Sequence, residues 1–152
     1  MADLYLCVRD DVEALFAANW SEPGVPVLWR DNDIDPMPDP GVSSSFLRNT
    51  VLPGIEKTIA YGGGPGANEK LLFGTVEFIV FTARALQSED ALLHLLSAAT
   101  ESVRSKRVDG TYGPGADLSF IGDGSHFDID PAENGNWYLR GCRMFFQYRF
   151  RG

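Results

Sequence analysis

The chain has 152 residues, 44% of them hydrophobic and 22% charged, which is the make-up of one folded domain and not of a disordered chain. A domain of this length buries roughly 68–70% of the surface its unfolded chain exposes, so no metal or disulfide staple is required. With 21 acidic against 13 basic residues the net charge is −8, and the chain as a whole repels a phosphate backbone, which excludes it from the usual sequence-specific DNA binders.

From the amino end, Tyr5, Val8, Val12, Leu15 and Phe16 recur at helical spacing behind Asp3, which is placed to cap the first turn. This predicts a helix over residues 4–19, ended by Pro23 and Gly24. Val25 to Arg30 reads as a short strand. It runs into Asp31 to Gly41, where prolines 36, 38 and 40 lack amide donors and Asp31, Asp33, Asp35 and Asp39 repel one another, so an exposed excursion is expected.

Ser44 to Leu52 is predicted as the second strand, with Phe46, Arg48, Thr50 and Leu52 on one face and Leu47, Asn49 and Val51 on the other. Pro53-Gly54 reads as a turn, after which Ile55 to Tyr61 stays extended up to a glycine tip, Gly62 to Gly66. Leu71 to Ala83 is apolar on both faces, the pattern of a strand at the centre of a sheet. Ser88 then opens a second helix whose stripe is Leu92, Leu95, Leu96, Ala99 and Val103.

Asp109 to Gly115 is a glycine-rich turn and Leu118 to Ile121 a short strand, followed by an acidic stretch, Asp123 to Asn136, that is expected to be irregular. Trp137 to Arg151 closes the chain as a strand. Tyr138, Cys142, Met144, Phe146, Tyr148 and Phe150 share one face of it, while Arg143, Gln147, Arg149 and Arg151 share the other. Cys7 and Cys142 lie far apart, and both are expected to be buried free thiols of a reducing compartment. The first residues lack the basic and apolar regions of a secretory signal, and no apolar run approaches a membrane span.

None of the constellations that suggest chemistry completes its pattern. Gly62-Gly63-Gly64-Pro65-Gly66 is followed by a strand where a phosphate cradle needs a helix. Asp31-x-Asp33-x-Asp35 starts like a calcium loop, but Pro36 and Val42 occupy the positions that need glycine and glutamate. Asp123, His126, Asp128 and Asp130 could converge on a metal only with ligands from a second segment, and turn chemistry accounts for them as well. Serines 43, 44 and 45 lack a nucleophile elbow. The expectation is therefore a protein that is not an enzyme and needs no cofactor, with no catalytic or metal residue assigned.

The segments Leu28-Trp29-Arg30-Asp31-Asn32 and Phe46-Leu47-Arg48-Asn49-Thr50-Val51-Leu52-Pro53-Gly54, together with the order of elements from about Val12 to Arg149, resemble the tail terminators of long-tailed bacteriophages. The resemblance implies a single-domain α+β fold over residues 1–152, a mostly antiparallel β-sheet flanked by two α-helices. It implies a structural virion protein, assembled in the host cytoplasm and residing at the neck of the tail. There a hexameric ring of copies would stop tail-tube polymerisation, join the tail tube protein to the head connector or stopper, and let DNA pass through its lumen without specific binding and without a membrane.

Trp29, Asn32, Leu47, Pro53 and Gly54 would serve folding. Asp31, Asp33, Asp35 and Asp39 would line the channel with negative potential, and Gly62, Gly63, Gly64, Arg143, Arg149 and Arg151 would serve contacts between copies or with partners. A head-completion or adaptor ring of the neck is the neighbouring alternative, and a small metal-dependent enzyme using Asp123, His126, Asp128 and Asp130 the distant one.

Overall fold

A computed structural model describes residues 3–29, 45–61, 64, 66–83, 89–122, 124–128 and 137–152. Helix α1 spans Leu4–Asn19, and Asp3 Oδ1 accepts hydrogen bonds from the amides of Tyr5 and Leu6 at 3.0 and 3.4 Å. These are two of the donors that an uncapped helix leaves unpaired. The helix ends where Trp20 turns extended, ahead of Pro23. Its buried residues are Val8, Asp11, Val12, Leu15 and Phe16.

Among the described residues α2 (Glu89–Glu101) and seven strands follow: β1 Val27–Trp29, β2 Ser45–Ala60, β3 Glu69–Ala83, β4 Arg107–Asp109, β5 Asp117–Phe120, β6 Ser125–Asp128 and β7 Trp137–Arg151. They form one sheet in the order β1-β2-β3-β7-β5-β4, with β6 also paired to β7. Strand β3 is central. It pairs antiparallel with β2 from Ser45↔Thr82 to Ala60↔Glu69, and with β7 along its full length from Glu69↔Arg151 to Ala83↔Trp137.

The architecture corrects the expected one in two respects. The sheet is mixed: β1 runs parallel to β2, with Val27 opposite Leu47 and Trp29 opposite Asn49. A parallel neighbour needs a return of a dozen or more residues, and residues 30–44 provide that length where a hairpin turn would not. Nor do the helices flank the sheet. Val8, Val12, Leu15 and Phe16 of α1 and Leu92, Leu95, Leu96 and Ala99 of α2 belong to one core with Leu72, Val76, Phe78 and Val80 of β3 and Cys142, Met144, Phe146, Tyr148 and Phe150 of β7. These strand residues all have one parity, so both helices cover the same face.

Two local expectations also change. The Pro53-Gly54 pair is not a turn. It lies within β2 where the register shifts between Pro53 and Glu56, a bulge on a stretch of strand whose outer side pairs with no strand among the described residues, the kind of edge position where proline is tolerated. The acidic stretch after Gly122 is not wholly irregular, because Ser125 to Asp128 pairs with Arg140 to Arg143 as β6. Phe127 lies against Gly141 there, where a Cβ would come within 2.2 Å of its ring.

Candidate assembly surface

The two faces of the sheet differ. On the helix side lies a polar pin within the core: the Asp11 carboxylate accepts from the Tyr148 hydroxyl at 2.7 Å, the Thr111 amide at 2.9 Å and the Thr111 hydroxyl at 2.9 Å. Tyr148 in turn accepts from the Tyr112 amide at 3.2 Å. Burial, and then the bond to Asp11, push the Tyr148 phenol well above its ordinary value, so it stays a neutral donor. A Cβ at Gly110 would meet that hydroxyl at 2.4 Å, so this position must be glycine. The pin ties α1 to the turn between β4 and β5. Sequence reading missed it, because Asp11 lies on a helix and Thr111 and Tyr148 lie far along the chain.

On the other face, at the end near Ala83, Phe46 stacks on Phe81 with centroids 4.4 Å apart, in a small buried cluster with Ala83 and Leu139. Towards the middle, Arg143 donates to Glu77 through Nε at 3.0 Å, and its guanidinium lies 5.8 Å from the Phe127 ring. Further along, Leu52, Thr75 and Phe145 lie side by side on neighbouring strands, with Phe73 beyond them. Leu52, Phe73 and Phe145 are 41%, 37% and 41% exposed, and Ile55 at the bulge is 76% exposed.

These residues, with Pro53, Gly54, Lys57 and Gly74, line a shallow groove of about 410 Å³. A Cβ on Gly54 would lie 2.3 Å from the Phe73 carbonyl oxygen, so β2 passes close to the β3 backbone at the groove, whereas one on Gly74 would meet the Phe146 ring on the helix side. An apolar groove of this kind on an open sheet face is the usual mark of an interaction site.

Beyond the groove β2 continues as the arm, an edge strand alongside β3, which itself stays paired with β7 as far as Glu69. From Leu52 to Ala60 almost every β2 residue is exposed, and beyond Asn49 the outer edge of β2 pairs with no strand among the described residues. Ile59 is 38% and Tyr61 83% exposed. The arm is tied to the body by the Tyr5 hydroxyl, which donates to Glu56 at 3.3 Å. The Glu56 carboxylate raises the Tyr5 phenol by its charge and by accepting that bond.

The residues expected from sequence are scattered. Arg143 lies on the open face, paired to Glu77, whereas Arg149 and Arg151 are exposed at the far end of β7 beside a mixed-charge cleft of about 430 Å³ with Glu69, Asp109 and Asp117. Gly64 lies at the arm tip with φ 78°. Gly62, Gly63, Asp31, Asn32, Asp33, Asp35 and Asp39 lie outside the described residues, as do Ser43, Ser44, Ser88, Asp123 and Asp130. Trp29 meets Phe16 edge-on at 5.6 Å, and Leu47 is fully buried.

His126 is exposed on β6, and no three His, Cys, Asp or Glu side chains converge at metal distance among the described residues. Both cysteines are free. Cys142 is buried and its thiol is pushed up by that burial, while Cys7 is only half-buried, against expectation. No described helix is long and apolar enough to cross a membrane.

No protein family's sequence profile matches the chain, and no curated protein matches it. Among solved structures, one whose description names no function superposes with a TM-score of 0.58 at 14% identity, covering 93% of this chain and 96% of its own. At that identity the likeness speaks for the fold alone.

Proposed function

We propose that this protein is a structural assembly protein of a phage tail, one that closes the tube as a ring of copies and joins it to the connector above. The observation that carries the reading is the arm with its bare groove. A domain whose core is complete on one face leaves an apolar groove on the other, beside a β2 edge that pairs with no strand beyond Asn49 among the described residues, and such features invite partners. The sequence resemblance to tail terminators names the use. A ring needs head-to-tail contacts between two different surfaces of one chain, and the arm and the groove are two such surfaces. Electron microscopy of the protein mixed with isolated tail tubes tests the proposal. A cap at one end of each tube is the expected result, and tubes that stay bare at saturating protein overturn it.

A further inference from the structure

Beside β1 the core holds a polar group that nothing satisfies. Asn49 is fully buried on the helix side of β2, between Leu47 and Val51 of the core, and neither its amide nitrogen nor its amide oxygen has a hydrogen-bond partner. Its cross-strand neighbours are Trp29 of β1 on one side and Phe78 of β3 on the other. Phe16 of α1 packs on both, edge-on to Trp29 at 5.6 Å and tilted on Phe78 at 5.3 Å between centroids, so the amide sits among three aromatic rings. The Trp20 indole, stacked on Phe16 at 5.2 Å, has its Nε1 buried without a partner as well. An amide enclosed in this way has lost its water and gained no bond in return, a penalty that a leucine of similar volume would not carry.

Strand β1 is the part of this enclosure that can leave. It is three residues long, outermost in the sheet and parallel to β2, the weaker pairing per residue, and each of its side chains is only half-buried. Just ahead of it the Leu47 amide donates to the Pro26 carbonyl at 2.9 Å. Strand β2 does not depend on that contact, because β3 holds it from Ser45 to Ala60. Lifting β1 away takes Trp29 from beside Asn49 and lets water reach the amide, so part of the free energy lost with the pairing is regained on release.

We propose that β1 is a releasable edge strand, set to detach from β2 while the rest of the sheet stays folded, with the buried Asn49 as the residue that favours detachment. Local openings of this kind draw on the least stable element of a domain. The consequence falls on the β2 edge. With β1 in place that edge is bare, among the described residues, only beyond Asn49; with β1 released it is bare along the whole strand from Ser45 to Ala60.

Native-state hydrogen exchange of the full chain, read residue by residue by NMR, tests the proposal. The Leu47 amide, bonded to Pro26, is expected to exchange through a local opening that leaves the β3–β7 ladder protected. Measured against the β3–β7 amides of the same variant, which report any change in global stability, Asn49→Leu should make Leu47 exchange about tenfold slower and Asn49→Asp at least about tenfold faster. If Asn49→Leu does not fold, Asn49→Asp decides by the same ratio.

A wild-type Leu47 amide that exchanges only with the β3–β7 ladder overturns the proposal. So does a ratio of Leu47 to ladder exchange that neither substitution moves, or one that Asn49→Leu raises. A crystal structure with an ordered water bonded to the Asn49 amide overturns it too, since release would then satisfy nothing that is unsatisfied before it.

Discussion

The helix-covered face and the open face of one sheet are built on opposite terms. Across the covered face the side chains of α1, α2, β3 and β7 interlock, and a buried carboxylate finds three donors. Across the open face β3 and β7, with β2 beside them, present Phe73, Phe145 and Leu52 to solvent. Strand β3 belongs to both faces, alternating Leu72, Val76 and Phe78 inward with Phe73, Thr75 and Glu77 outward. An apolar residue on such a strand is thus no guide to folding by itself, since its parity decides whether it joins the core or faces solvent.

Substitutions divide along that line. Phe78, fully buried and 5.3 Å from the Phe16 ring, should show the largest loss, about 4 kcal/mol of unfolding free energy on Phe78→Ala, measured by urea titration. A loss under about 1 kcal/mol would mean that the inner face is not the core.

Removing one hydroxyl from the pin sharpens the contrast. Tyr148→Phe should cost about 2 kcal/mol at neutral pH, because Asp11 loses a donor and the Tyr112 amide an acceptor. The phenol's value is raised on folding, so its contribution is fully present below the ordinary tyrosine value near 10 and declines as pH rises above it. The wild-type advantage over Tyr148→Phe should therefore shrink in alkali, as paired denaturation curves at neutral and strongly alkaline pH would show.

The smallest effect is expected on the open face. Phe73→Ser should change the stability of the monomer by less than about 0.5 kcal/mol in urea titrations at dilute protein, while a drop comparable to that of Phe78→Ala would show the groove to be part of the core.

Much of this fold is legible in the residues alone. The 3-4 spacing from Val8 to Phe16 locates α1, the stripe from Leu92 to Val103 locates α2, and the strict alternation from Cys142 to Phe150 locates β7 and its inner face. Strand direction is another matter. Val27 to Trp29 look the same whether they run parallel or antiparallel to β2, because direction is set by how the chain returns and not by which side chains it carries.

Pro53-Gly54 has turn chemistry, yet it sits in a bulge, because Gly54 is required by the nearby Phe73 carbonyl and Pro53 by nothing that a sheet edge forbids. Gly124, Asp123 and Asp128 hide β6 by composition, although the cross-strand partners Arg140 to Arg143 decide it. The groove was half visible, since Leu52 and Phe73 fall on faces that alternation assigns. What alternation cannot show is that the helices leave one of those faces bare.

The full-length ladder between β3 and β7 also has a mechanical consequence. Antiparallel hydrogen bonds run across the strands, so tension applied along the hairpin axis at its tip loads the whole Glu69–Arg151 to Ala83–Trp137 row in shear, and the bonds must yield together instead of peeling one by one. A hairpin anchored in this way transmits strain from its extremity to the hydrophobic interior with little stretch. Pulling on that extremity should therefore load the core before it opens the sheet edge.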